Sequence, residues 1–191
     1  MNRIIRNLTI LASAALVARH FFQVTRVSGN SMFPELHPDD RLLIDKTAYE
    51  KNDPERGDVV VFSEPNTGRM MIKRIIGVPG DHIVIRNGEL KVNGVTGNDD
   101  YTADGATDGN VDMVIPEGRY FVLGDNRLHS KDSRAAMVGC VPGNSIMGKV
   151  NIRLYPPGRV FSRNVLPEEE DKEPQEAAPA PASAVTAEEQ E

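Results

Sequence analysis

The chain has 191 residues, of which 39% are hydrophobic and 26% charged, enough apolar content for one packed domain with attachments. A single cysteine, Cys140, excludes an intrachain disulfide and a cysteine-cluster zinc site, and the four histidines show no metal-ligand spacing. The net charge of −6 comes from the C-terminal tail, since residues 167–191 hold nine acids and one base; the remainder is nearly neutral and shows no basic block of the kind that binds nucleic acid.

In chain order, the first element is a short leader with Arg3 and Arg6, followed by a charge-free run from Asn7 to Ala18 and then Arg19, His20, Phe21 and Phe22. The run alone is shorter than the ~20 residues that cross a bilayer. Arginine side chains can snorkel to the interfaces, so a span over about Ile4 to Val24 becomes possible. A cleaved signal peptide and a peripheral or core helix are the competing readings. Two arginines on the leading segment favour an N-terminus on the inner side and the rest of the chain outside.

From Val24 to Pro157 short β-like runs alternate with turns. Strands are predicted over Arg41–Asp45, Asp58–Ser63, Arg69–Gly77, His82–Arg86, Glu89–Val92, Tyr120–Leu123 and Ser145–Leu154. Asn87-Gly88 between two alternating runs predicts a tight hairpin. Tyr101–Asp112 is polar and reads as an insertion loop. The density of short strands predicts a mostly β domain, coiled or barrel-like. Residues 167–191 are rich in Glu, Pro and Ala with few large apolar side chains, and are predicted to be disordered. The resulting division is an anchor over 1–24, a β domain over 25–166 and an acidic tail over 167–191.

Three segments depart from ordinary β-domain sequence. Val27-Ser-Gly-Asn-Ser31-Met-Phe-Pro34-Glu-Leu36 sets Ser31 between a permissive glycine and a rigid proline, a turn able to present a hydroxyl and its own N–H together. Read alone, it is an ordinary loop. In Arg69–Gly77, strand alternation puts Lys73 on one face with Met71 and Ile75, and Arg74 on the other with Ile72 and Ile76. Desolvation on such a face lowers a lysine pKa and frees a neutral amine; the plain alternative is an edge lysine that blocks aggregation. The third segment, Val122 to Arg134, is a polar run after a strand. His129 within it lacks any sequence cue for an orienting acid and is not taken as a base.

Together the three segments resemble the type I signal peptidase family. The serine block is matched by Ser28 to Leu36, with Glu35 in place of the usual threonine. Arg41-Leu-Leu-Ile-Asp-Lys46 and Arg56-Gly-Asp-Val-Val-Val-Phe62 are similar to the family's next block. Ile72-Lys-Arg-Ile-Ile-Gly-Val-Pro-Gly-Asp81 looks like its lysine block, and Gly124-Asp-Asn-Arg through Ser130, Asp132 and Arg134 its last. Gly139-Cys-Val-Pro142 and Ile146-Met-Gly-Lys149 fit as well.

The resemblance implies a membrane-bound serine endopeptidase with a signal-peptidase-type β fold, removing signal peptides after small residues of the Ala-x-Ala kind. Ser31 would be the nucleophile and Lys73 the general base. Ser130 would position the Lys73 amine, Asp132 and Arg134 would form a supporting ion pair, and Arg74 would be structural. No metal or cofactor is implied. The implied partners are secretory preproteins, the lipid bilayer and, indirectly, the secretion translocon, with the catalytic domain outside the cell or inner membrane. Some members carry a serine two positions before the nucleophile as an oxyanion donor; that position is Gly29 here, which leaves the Ser31 N–H as the main donor. An autocleaving repressor with Ser–Lys chemistry would need a DNA-binding domain ahead of the serine block, where only about 26 apolar-rich residues stand. A silent membrane-tethered binding protein is disfavoured by the presence of both Ser31 and Lys73.

Overall fold

The structure, a computed structural model, describes residues 3–167. The tail predicted over 167–191 lies almost wholly outside the described residues. A helix, α1 (Arg3–Phe21), comes first, and its side chains Ile4, Leu8, Leu11 and Leu16 are more than half exposed. It is the one described helix long and apolar enough to cross a membrane. It ends at Phe21 rather than at Val24 as the hydropathy suggested. The reason is pairing: Phe22–Arg26 forms strand β1, bonded along its whole length to β2 (Arg41–Asp45). The boundary drawn at residue 24 therefore falls inside a strand.

The other strands are β3 (Val59–Ser63), β4 (Met70–Gly77), β5 (His82–Arg86), β6 (Glu89–Val92), β7 (Val95–Thr96), β8 (Val111–Val114), β9 (Arg119–Leu123), β10 (Val141–Pro142), β11 (Ile146–Tyr155) and β12 (Gly158–Arg159). They make two antiparallel sheets. The larger is a curled half-barrel in the order β1-β2-β11-β3-β4-β9-β10, with β12 on β11; the smaller has the order β7-β6-β5-β8. The predicted mostly β fold is thus present. Much of the curl resides in β11, whose register slips at three places against β2 and β3, because each bulge adds bend and twist. Asn87 and Gly88 both adopt positive φ (53° and 83°), the conformation of the tight turn expected between β5 and β6.

The polar stretch after Tyr101 ends as a loop at Asn110, not at Asp112. Val111 and Asp112 open β8, which pairs with β5 and leaves the Asp112 carboxylate beside His82 and Arg86.

Apolar packing gives three clusters. One lies beneath β2 and β11 and includes Met32 and Leu36, 1% and 0% exposed. Burying two such side chains contributes roughly 1.5–3 kcal/mol each, and this draws the segment after Ser31 down onto the large sheet. A Leu36 N–H to Met32 carbonyl bond of 2.9 Å closes the turn. The second cluster joins the small sheet to β9, and the third lies between β3, β4, β9 and β10.

Candidate active site

β4 delivers two cations in succession. Lys73 is 3% exposed and Arg74 0%. Their neighbours across β3 are Val60 and Val59, and on the other side Arg74 faces Leu123 of β9. β9 pairs only Arg74, Ile75 and Gly77, so the edge from Met70 to Lys73 on that side has no strand partner. Ser31 comes into this gap. Its Oγ is 2.7 Å from Lys73 Nζ, which also donates to the Ile72 carbonyl at 3.0 Å. Burial pushes the Lys73 pKa down from the ordinary lysine value to about 8, while Asp132 and Asp125 pull the other way. The depression expected from the Met71 and Ile75 face is therefore present, and near neutrality a useful fraction of the amine is free base.

Arg74 is treated oppositely. It meets Asp125 through two bonds, Nε to Oδ1 at 2.9 Å and Nη2 to Oδ2 at 2.6 Å, and gives Nη1 to the carbonyls of Gly57 and Phe161. Tyr101 lies over it, 5.0 Å from ring centroid to Cζ, and Arg127 packs near the same ring. All three nitrogens of the planar fork are bonded, four donors in all, which is how a buried guanidinium is held charged.

The segment after β9 closes the site from above. Asn126 donates its N–H to the Ser31 carbonyl and its side-chain amide to the Asn30 carbonyl, both at 3.1 Å. Asp132 pairs with Arg134 through two contacts of 2.8 and 2.9 Å and accepts the Gly124 N–H at 3.1 Å. The predicted ion pair is thus formed, and it also fixes the backbone at Gly124. A Cβ on Gly124 would lie 2.3 Å from Ser130 Oγ and 2.4 Å from the Ser31 carbonyl; only glycine lets these three segments meet.

Ser130 and Glu35 have surroundings that the sequence does not foretell. Ser130 Oγ is not on the Lys73 amine: it is buried and has no partner among the described residues. The amine turns instead to Ser31 Oγ and the Ile72 carbonyl. Glu35, for which the sequence offered no role, accepts the Phe161 N–H and the Arg163 fork. His129 is exposed, with Nδ1 at 3.1 Å from Asn126 Oδ1, and the group on Ser31 Oγ is Lys73. Sequence reasoning missed Gly124 and Asn126 as parts of the site. Both stand in the Gly-Asp-Asn-Arg run, where residue types typical of turns conceal a clamp.

Ser31 and Lys73 open on a cleft of about 370 Å³ lined by Thr25 to Gly29, Met32 and Arg69 to Ile72. Larger surface clefts of about 690 and 770 Å³ contain neither residue, so it is chemistry and not size that singles out this cleft. Among the described residues no group of three or more His, Cys, Asp or Glu side chains is placed to hold a metal ion.

A family model described as Signal peptidase, peptidase S26, matches residues 1–155. Signal peptidase I U of Bacillus subtilis is 34% identical over 165 residues, covering 80% of this chain and 88% of that protein. Probable signal peptidase I-2 of Synechocystis is 36% identical over 159 residues, covering 80% and 71%. A crystal structure of a signal peptidase I from Enterococcus faecalis aligns with 36% identity and a TM-score of 0.44, over 51% of this chain and 97% of that one.

Proposed function

This chain belongs to the signal peptidase family, peptidase S26, and we propose that Ser31 is the nucleophile and Lys73 the general base of its signal-peptide cleavage. The family makes it a serine endopeptidase acting on the signal peptides of preproteins. The observation that carries the assignment is the 2.7 Å approach of Ser31 Oγ to a buried lysine whose pKa is about 8.

The neutral Lys73 amine takes the Ser31 proton as Oγ attacks the scissile carbonyl carbon. Charge builds on the carbonyl oxygen, and the Ser31 N–H is the donor assigned to it. The tetrahedral adduct collapses, Lys73 returns its proton to the departing amine, and the signal peptide remains as an ester on Ser31. Neutral again, Lys73 deprotonates a water that attacks the ester, and the same proton passes to Ser31 Oγ as the C–O bond breaks, restoring both residues and releasing the signal peptide. Once Oγ is bonded to substrate, Lys73 keeps only the Ile72 carbonyl. The unpaired Ser130 hydroxyl is then the group that holds the amine. Asp132 and Arg134 keep the Gly124 backbone in place, and Arg74 anchors the strand.

Substrate reads as a strand. The open edge of β4 at Met70–Lys73 offers unpaired backbone groups to an extended peptide. In an extended chain every second side chain points the same way. A cleft walled by Val27, Met32, Met71 and Ile72 then receives two side chains separated by one residue, and its modest volume favours small ones, the Ala-x-Ala pattern. We place α1 across the bilayer, with Arg3 and Arg6 inside and the β domain outside. Contact with the translocon is indirect, through the shared preprotein. In this arrangement α1 anchors, the β domain from β1 to residue 166 catalyses and 167–191 form an appended acidic tail.

The test is cleavage of a purified preprotein in detergent. Wild type should release the mature protein, and Ser31→Ala and Lys73→Ala should each abolish release. Cleavage surviving in Ser31→Ala would refute the assignment. Full-length protein should resist carbonate extraction from membranes, and protein wholly released by carbonate would remove the anchor.

A further inference from the structure

The match to the family model runs to residue 155, and the chain continues past it along the site. From Val160 to Leu166 it forms a strap. Val160 and Val165 are 5% and 2% exposed in two different apolar clusters. Between them the Phe161 carbonyl takes Arg74 Nη1 at 2.8 Å, Ser162 Oγ donates to Asp58 at 2.8 Å, and the Val165 carbonyl accepts from Asn98 N–H at 2.7 Å. The strap is therefore seated at both ends, and at Val160 it shares a cluster with Met32 and Leu36 of the serine turn.

The serine turn is held less evenly. Met32 and Leu36 enter the core, and each is preceded by a polar residue, Ser31 and Glu35. Apolar burial is non-directional: it sets the depth of the turn but not its roll about the line through the two anchors. Roll decides where Oγ points. On the leading side, Asn126 grips the Ser31 and Asn30 carbonyls. On the trailing side the grip is Glu35, with a side chain only 8% exposed. Its Oε1 accepts the Phe161 N–H at 3.1 Å, its Oε2 takes Arg163 Nη2 at 2.9 Å, and Arg74 Nη2 stands 4.0 Å away. A carboxylate this enclosed, facing a charged fork, is a stiff and directional contact.

We propose that Glu35 is a positioning residue for the cleavage reaction: by hooking the trailing side of the serine turn onto the strap through Phe161 and Arg163, it keeps Ser31 Oγ aligned with Lys73. Arg163 is its counterpart, and the strap beyond the family-matched region is part of the working site. The inference rests on Ser31 being the nucleophile.

The experiment compares Glu35→Gln, Arg163→Gln and the double variant, as full-length protein in detergent, with Ser31→Ala alongside. Glutamine keeps the shape and the acceptor for Phe161 while removing the charged fork contact. Glu35→Gln should lower kcat about three- to tenfold with KM within about twofold, because misalignment acts on the reacting atoms rather than on substrate binding. Arg163→Gln should fall in the same direction. The double variant should be no slower than Glu35→Gln, since the two residues act as one contact. The pH at which activity rises should stay where it is in wild type, because alignment and not the lysine pKa has changed. Wild-type kcat in Glu35→Gln with only a lower Tm would leave Glu35 a purely structural role and overturn the proposal. Losses that multiply in the double variant, or a displaced pH profile, would overturn it too. If Ser31→Ala still cleaves, the nucleophile assignment itself fails. If Ser31→Ala is dead while Glu35→Gln runs at full kcat, only the positioning role falls.

Discussion

In the small sheet, charge stays at the surface. His82 and Arg86 of β5 reach Asp112 of β8 at 2.8 Å, all of them roughly half exposed, while Ile83 and Ile85 between them are fully buried. Its strands keep a clean in-and-out alternation. β4 of the large sheet breaks that pattern by burying Lys73 and Arg74 side by side. Taking two cations out of water is costly unless each is matched. Arg74 is bonded through all three nitrogens, two of them to a carboxylate, whereas Lys73 is met by a hydroxyl and a carbonyl, with no carboxylate in hydrogen-bond contact. The same fold has the means to neutralise a buried cation and uses them on only one of the two. The under-matched one is the proposed general base.

The sharpest way to break this comparison is to make Lys73 resemble its neighbour. Lys73→Arg puts a permanently protonated group at the base position, and kcat/KM should fall at least about a thousandfold. Full activity in that variant would end the contrast. Gly124→Ala comes next. The added methyl must displace either Ser130 or the Ser31 carbonyl, and a shift of that size in the serine turn should cost about a hundredfold in kcat. The fold should persist by circular dichroism.

The pH profile is a milder probe. With the lysine pKa near 8, the neutral fraction rises about tenfold between pH 7 and 9, and kcat/KM should follow it. A flat profile over that range would remove Lys73 as the base. The same shift bears on stability. The folded pKa lies below the unfolded value of 10.5, so at pH below 8 both states are protonated and the folded state carries the whole penalty of a buried charge. That penalty fades as pH rises from 8 to 10.5, where the folded form has already released its proton. Lys73→Met should therefore stabilise the protein near pH 7 by up to about 3 kcal/mol, with the gain gone above pH 10.5, as read by urea unfolding at each pH. In the small sheet, Asp112→Asn should leave cleavage unchanged and move Tm by less than about 2 °C, since surface pairs contribute little.

Much of this was legible in the chain. β2, β5 and β6, which alternate over a half-buried face, stand at their predicted limits, and β3, β4, β9 and β11, read from short apolar runs bounded by turns, within a residue of them. β1 and β8 were not read as strands. β1 is apolar enough to pass for the end of the helix, and β8 is too polar to stand out from its loop; partner strands specify both. The proximity of Ser31 and Lys73, 42 positions apart, cannot be inferred from local pattern, and only the resemblance to known peptidases joined them. Glu35 was unreadable for the same reason: Arg163, 128 positions away, explains it.

α1 ends at Phe21 and β1 begins at Phe22, with the Phe21 carbonyl accepting the Lys46 N–H at 2.9 Å and the Arg19 carbonyl accepting Lys46 Nζ at 3.4 Å. No slack separates the two elements. With α1 in the bilayer, the peptidase is mounted like a tool on a rigid post, and Ser31 works at a fixed height above the lipid. A bond can be cut only where the preprotein presents it at that height, so the length of the substrate's own apolar segment becomes a criterion of selection independent of the side chains in the cleft. A flexible Gly-Ser insert between Phe21 and Phe22 should loosen that criterion, letting shorter and longer signal peptides be cut while cleavage of a short soluble peptide stays unchanged.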